Sequence, residues 1–255
     1  MSTLDHQEYV IHMPAAGADG LDQHEEYCEV EWDGERRRIR FHDYDEIFKV
    51  PGLYERLFAD ALSCDSPRVV VDLLHDALRQ EDERPQDLQV LDFGAGNGMV
   101  GAELARIDSG AIVGVDLLEA AKEAAERDRP GVYDAYHALD MTELAPSARE
   151  ELEQHDFNCL TCVAALGFGD VPPEAFASAF ELVADEGWVA FNIRERFVEE
   201  ADTSGFSRTL ATALEEGTIV EHARVTYTHR LSVSGDPLPY VALVGRKQGE
   251  LELVA

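Results

Sequence analysis

The run Val90-Leu91-Asp92-Phe93-Gly94-Ala95-Gly96-Asn97-Gly98 limits the folds open to this chain more than any other stretch. An apolar segment ends in an acid, three glycines follow at alternate positions, and Met99 to Leu104 continues at helical spacing. A strand, a tight turn and a helix N-terminus in that order form the first unit of a doubly wound α/β sheet, where the turn approaches a nucleotide-like ligand. Gly94 and Gly96 suit such a turn, because without a Cβ they admit positive φ and leave the backbone open to a ligand. A dinucleotide fingerprint, G-x-G-x-x-G, needs its third glycine at position 99, which is Met99. The spacing is instead G-x-G-x-G, with Asp92 two residues before the first glycine.

Strand and helix signals alternate beyond this point, which predicts a mostly parallel sheet. Strands are expected at Gln89–Phe93, Ala111–Val115 with Asp116 at its end, Ala135–Ala138, Phe157–Ala164 and Trp188–Ile193. Ile219–Leu231 and Tyr240–Val244, joined through Ser234-Gly235-Asp236-Pro237, read as an antiparallel C-terminal hairpin. The expected fold is therefore α/β, a doubly wound, mostly parallel seven-stranded sheet finished by that hairpin. Between Asp43 and Leu78 the pattern is helical, broken by Pro51 and Pro67, with Val70, Val71, Leu74 and Leu78 on one face. Three parts are expected: an acidic, partly disordered arm over 1–38 with one short strand near Tyr27–Trp32, a helical cap over 39–86, and a ligand-binding domain over 87–255.

The formal net charge is −31, and Lys49, Lys122 and Lys247 are the only lysines. Such a surface repels nucleic-acid backbone and anionic lipid, which argues against both as partners. The one dense basic cluster, Arg36-Arg37-Arg38 with Arg40, reads as a counterweight to neighbouring acids. No apolar run reaches membrane-spanning length and no signal segment is visible, so a cytoplasmic protein is expected. Cys28, Cys64, Cys159 and Cys162 form no disulfide framework, and Cys159-x-x-Cys162 lies inside an apolar strand, so it reads as core. His6, His12 and His24 match no compact ligand spacing, and no metal site is expected.

The Asp92, Gly94, Gly96 and Gly98 pattern resembles the first motif of class I S-adenosyl-L-methionine methyltransferases, a Rossmann-like fold. That resemblance implies a cofactor site made of Asp92, Gly94, Gly96, Asn97, Gly98, Asp116, Leu117, Asp140, Met141 and Ala164. Asp92 would receive the ammonium of the methionine part, and the helix N-terminus near Asn97 would face its carboxylate. Asp116, 22 residues after Gly94, would accept both ribose hydroxyls. Asp140 would accept from the adenine amine, the Met141 N–H would reach a ring nitrogen, and Leu117 and Leu118 would lie on the adenine face. The runs GVDLLEAAKEAAERDRPGVYDAYHALDMTEL (114–144) and AALGFGDVPPEAFASAFELVADEGWVAFNIRE (164–195) resemble the methyltransferase family named for the Williams–Beuren syndrome chromosome region, a likeness that extends from Tyr44 to Glu195.

The expected activity is methyl transfer to a small molecule or a protein side chain, with alignment in place of a general base as the main source of rate. Nucleic-acid amine methyltransferases carry Asp/Asn-Pro-Pro-Tyr/Phe after the fourth strand, whereas this chain has Ala164-Ala165-Leu166-Gly167-Phe168-Gly169-Asp170. Phe168, Asp170 and Tyr44 are the candidates for facing the acceptor, and no catalytic base is assigned. Two rivals use the same sheet: an NAD-dependent oxidoreductase, disfavoured by Met99 and Asp92, and a non-catalytic scaffold, disfavoured by the glycines and strand-end acids. The acidic excess further predicts a halophilic protein, because salt screens self-repulsion. Its melting temperature should rise steadily from low to molar salt; a flat curve would contradict this.

Overall fold

A computed structural model describes residues 9–14, 21, 23–166, 171–195 and 206–254. It opens with a small antiparallel sheet of β1 (Val10–His12), β2 (Tyr27–Trp32) and β3 (Glu35–Arg40). Helix α1 (Tyr44–Phe48), a π-helical turn at Glu55–Ala61 and α2 (Ser66–Gln80) follow. The main sheet contains β4 (Gln89–Phe93), β5 (Ala111–Asp116), β6 (Ala135–Ala138), β7 (Cys159–Cys162), β8 (Trp188–Arg194), β9 (Ile219–Leu231) and β10 (Pro237–Lys247). Its order is β6-β5-β4-β7-β8-β10-β9, parallel from β6 to β8 and antiparallel where β10 pairs β8 and β9. Helices α3 (Met99–Arg106), α4 (Glu119–Asp128), α5 (Pro146–Glu153), α6 (Pro173–Glu181) and α7 (Phe206–Glu215) connect the strands. The expected seven-stranded doubly wound sheet is present.

Period-two alternation in the strands builds a core on each face of this sheet. Leu91, Val113, Leu160 and Val189 pack with Leu152 of α5 and Phe176 and Phe180 of α6. Val90, Ile112, Cys159 and Ala190 pack instead with Val70 and Leu74 of α2 and Leu104 of α3. Cys162 belongs to the first core and Cys159 to the second, so a three-residue spacing on a strand sets the two thiols on opposite faces. Strand β7 is shorter than the sequence suggests at its C-terminal end, because Ala164 adopts φ +57° and turns the chain out of the sheet. No described helix is long and apolar enough to cross a membrane.

The described part of the N-terminal segment forms the three-stranded sheet, where the sequence predicts one short strand in a loose arm. Asp33 and Gly34 have φ +48° and +80°, a two-residue reversal that matches the twist of β2 and β3 and pairs Trp32 with Glu35. The Asp-Gly pair was the available signal. It is obscured because β3, Glu-Arg-Arg-Arg-Ile-Arg, carries a single apolar residue, Ile39. Ile39, Cys28 and Val30 pack on Leu53 and Leu57, so this sheet and the cap share one core. The arginines of β3 are spent on nearby acids: Arg36 on Glu31, Arg37 on Glu46, Arg38 on Glu29 and Arg40 on Asp43. Helix α2, expected in the cap, packs on β8, β9, β10 and α3 and so belongs to the sheet layers. Of the metal-site histidines considered, His12 bonds Glu31 at 2.8 Å, whereas His6 lies outside the described residues.

A buried ion pair ties this sheet to the C-terminal hairpin. Glu26 and Arg230, with side chains 1% and 4% exposed, meet at 2.5 Å. Glu26 also accepts the N–H of Val233 at 2.7 Å, and Arg230 donates to Leu231 O at 2.8 Å. Removing one partner strands the other charge in the interior, a loss of about 3–5 kcal/mol. Glu26→Ala should lower urea-unfolding stability by that amount; a loss under about 1 kcal/mol would mean the pair is hydrated in solution.

Candidate active site

Strand order reverses between β4 and β7, and a cleft of about 550 Å³ opens there at the carboxyl ends of β4, β5 and β6. That is the switch-point location expected for an open α/β sheet, with a volume in the small-ligand range. Gly94 and Gly96 line it with φ +72° and +54°. A Cβ on Gly94 would lie 2.9 Å from Ala165 Cβ, and one on Gly96 would lie 3.2 Å from the Phe48 ring. The turn is thus a cradle that side chains would fill.

Asp116 stands at the rim, its carboxylate accepting the Gly96 N–H at 2.9 Å and the Leu118 N–H at 3.0 Å. Each oxygen keeps a lone pair for a further donor. Burial pushes this carboxyl up, and the N–H donors hold it down. Asp140 also lines the cleft; its Oδ1 accepts from the Thr142 hydroxyl and N–H, which holds its carboxyl below the usual value. Leu117, 62% exposed, Met141, Ala164 and Tyr44 complete the expected residues found at the cleft. Phe168 and Asp170 lie outside the described residues.

Three expected residues are placed elsewhere. Asp92 is fully buried and absent from the cleft wall. It faces the α2–α3 side with Val90, and its oxygens are taken by Thr161 Oγ1 and Tyr133 OH, each at 2.8 Å. Alternation along β4 points Phe93, not Asp92, to the cleft side. Asn97 donates to Glu55 at 2.8 Å and accepts from Arg129 at 2.9 Å, and so anchors the cap. Gly98, at φ +87°, starts α3 against the Tyr133 ring.

The roof is aromatic: Tyr44, Phe48, Tyr54 and Phe58 form a ladder with centroid separations of 6.1, 5.3 and 4.7 Å. Arg127 holds the Phe48 carbonyl at 3.1 Å, and Arg129 holds Glu55 at 2.5 Å. Glu55, Arg129, Tyr136 and Thr161 escaped sequence reasoning. None falls in a recognisable spacing, and their partners are 40 or more residues away, except for Arg129 and Asn97 at 32. His222 sits against Trp188 and 3.6 Å from Glu81, not at the cleft.

A reversed α/β sheet with a glycine cradle and strand-end acids around one cleft defines a Rossmann-like ligand-binding protein. A methyltransferase domain family matches residues 65–242, and the chain belongs to that family, whose cofactor is S-adenosyl-L-methionine. The fold is similar to that of the N-methyltransferase NodS from Bradyrhizobium japonicum, solved with S-adenosyl-L-homocysteine, at 15% identity and TM-score 0.50 over 72% of this chain and 90% of that one. It is also similar to a putative RNA methyltransferase from Pyrococcus horikoshii, at 15% identity and TM-score 0.50 over 70% and 84% of the two chains. A putative sarcosine dimethylglycine methyltransferase from Galdieria sulphuraria matches at 12% identity and TM-score 0.50 over 70% and 85%. No curated protein matches the chain.

The state of Asp92 is open to test. Burial pushes its carboxyl up to about 6, against the Tyr133 and Thr161 hydroxyls that lower it. The folded chain therefore keeps a proton that the unfolded chain releases above its ordinary value of 3.8. This contribution favours folding below about pH 4 and is lost as the pH rises to about 6. Relative to Asp92→Asn, the wild-type protein should lose about 2 kcal/mol of unfolding free energy between pH 4 and pH 7. Parallel curves for the two proteins would show Asp92 ionised in the fold.

Proposed function

We propose that this protein is an S-adenosyl-L-methionine-dependent methyltransferase that delivers the methyl group by in-line displacement to a small molecule or a protein side chain. The observation that carries this reading is the Asp116 carboxylate at the cleft rim, fixed by two backbone N–H groups beside a side-chain-free turn. The residues present fit the cofactor. Asp116 would hold the ribose hydroxyls, Asp140 and Met141 the adenine edge, Leu117 and Leu118 its face, and Gly94, Gly96 and Ala164 the methionine part. The cofactor supplies a methyl group already activated on a sulfonium, and the chain supplies alignment, worth up to about 7–11 kcal/mol. The Tyr44–Phe48–Tyr54 roof would exclude water from that alignment.

The likeness to the Williams–Beuren family supports a narrower placement within the methyltransferases. Charge supports a soluble cytoplasmic enzyme that avoids nucleic acid, since the arginine cluster is neutralised by its own acids. Met99 and the methyltransferase domain weigh against NAD as the ligand.

S-adenosyl-L-homocysteine should raise the melting temperature and bind by calorimetry, whereas NAD should do neither. Asp116→Ala should weaken that binding by about 1.5–3 kcal/mol through loss of charge-assisted hydrogen bonds. The ligand-free melting temperature is measured alongside, because Gly96 loses its acceptor too. Unchanged affinity would remove Asp116 from the site, and NAD binding would reverse the assignment.

A further inference from the structure

A second cavity, of about 30 Å³, adjoins the cleft and shares His42, Tyr44, Tyr54, Ala164 and Ala165 with it. Its other side includes Gln23, His229, Arg230 and Tyr240, contributed by the N-terminal segment and the C-terminal hairpin. A hydrogen-bond chain sets what His229 offers there. The Ala164 backbone N–H donates to Asn192 Oδ1 at 2.6 Å, so the amide nitrogen of Asn192 donates to Tyr227 OH at 2.7 Å. Tyr227 OH and His229 Nδ1 each lie 2.6 Å from Ser66 Oγ, and the order that continues the chain has Tyr227 donating to Ser66 and Ser66 donating to His229 Nδ1. An imidazole that accepts at Nδ1 carries its proton on Nε2 when neutral. His229 is neutral, because burial first and Arg230 second push it down to about 3.

The remaining polar atoms complement that donor. His229 Nε2 has no hydrogen-bond partner among the described residues. Tyr240 stacks on the His229 ring at 4.2 Å, accepts Gln23 Nε2 at 3.1 Å and keeps its own O–H to donate. Gln23 is 8% exposed, and its Oε1 is buried without a partner. On this side of the cavity His229 Nε2–H and Tyr240 O–H are donors and Gln23 Oε1 is an acceptor, while His42, Tyr44, Tyr54 and Cys64 help line the remainder. Arg230 adds no net charge, since the buried Glu26 carboxylate neutralises it at 2.5 Å. A charged ligand group would stay uncompensated here, at high desolvation cost.

We propose that this cavity is the acceptor subsite and that it takes the neutral hydroxyl group of a small organic molecule. The hydroxyl oxygen accepts from His229 Nε2–H and Tyr240 O–H, and its proton goes to Gln23 Oε1. The volume admits one such group, so the rest of the molecule occupies the cleft. That the bound molecule is a methyl acceptor rests on the function proposed above; the hydroxyl selectivity rests on the cavity alone.

Histidine 15N spectra of the full chain at pH 7, titrated with phenol, toluene and benzoate, test this. His229 should show a protonated Nε2 and a bare Nδ1, and phenol should move its Nε2 resonance while toluene and benzoate do not. Tyr240→Phe should weaken phenol binding about fivefold, and Ser66→Ala should release the tautomer. An Nδ1–H tautomer, a charged ring, an Nε2 resonance unmoved by phenol, or a benzoate response equal to that of phenol would overturn the proposal. A phenol response in a chain that fails to bind S-adenosyl-L-homocysteine would sink the cofactor assignment and leave the hydroxyl site standing.

Discussion

The bond from the Gly96 N–H to the Asp116 carboxylate joins the ends of two neighbouring strands across the mouth of the cleft. It works only because β4 and β5 run parallel in register, which brings Phe93 beside Val115 and lets the turn after one strand meet the acid ending the other. Tyr136, from the next strand out, closes the same turn by donating to Gly96 O at 2.7 Å. The glycine turn is therefore held by β5 and β6 and shaped for close approach before any ligand arrives. Preorganisation of this kind lowers the ordering cost of binding.

The main sheet was legible because alternation between strand and helix signals is strong from Gln89 onward. Every expected strand there is present, and the ends differ by a few residues where a left-handed residue such as Ala164 breaks the ladder. The small N-terminal sheet was less legible, since β3 is almost wholly charged and β1 is three residues long.

The site divides along similar lines. Residues placed by backbone geometry at strand ends, such as Gly94, Gly96, Asp116, Asp140 and Met141, can be read from spacing, and they do line one cleft. Asp92 cannot be resolved in that way, because spacing does not say which face of β4 its side chain takes. Thr161 and Tyr133 capture it on the far side of the sheet. The polar chain from Ala164 to His229 joins residues from four separate segments, and no local pattern announces it.

The methyltransferase family match begins at residue 65, after the aromatic roof has ended. The glycine cradle and strand-end acids thus lie in the shared domain, whereas the roof and Gln23 come from upstream chain joined to it by Glu55, Arg129 and the Glu26–Arg230 pair. The cleft floor is thus built from the shared domain alone, whereas the small cavity beside it is built jointly, with His229 and Tyr240 from the domain and Gln23 from the upstream chain. Substitution in the upstream segment alone would therefore reshape one wall of that cavity and the aromatic roof while leaving the glycine cradle and the strand-end acids in place.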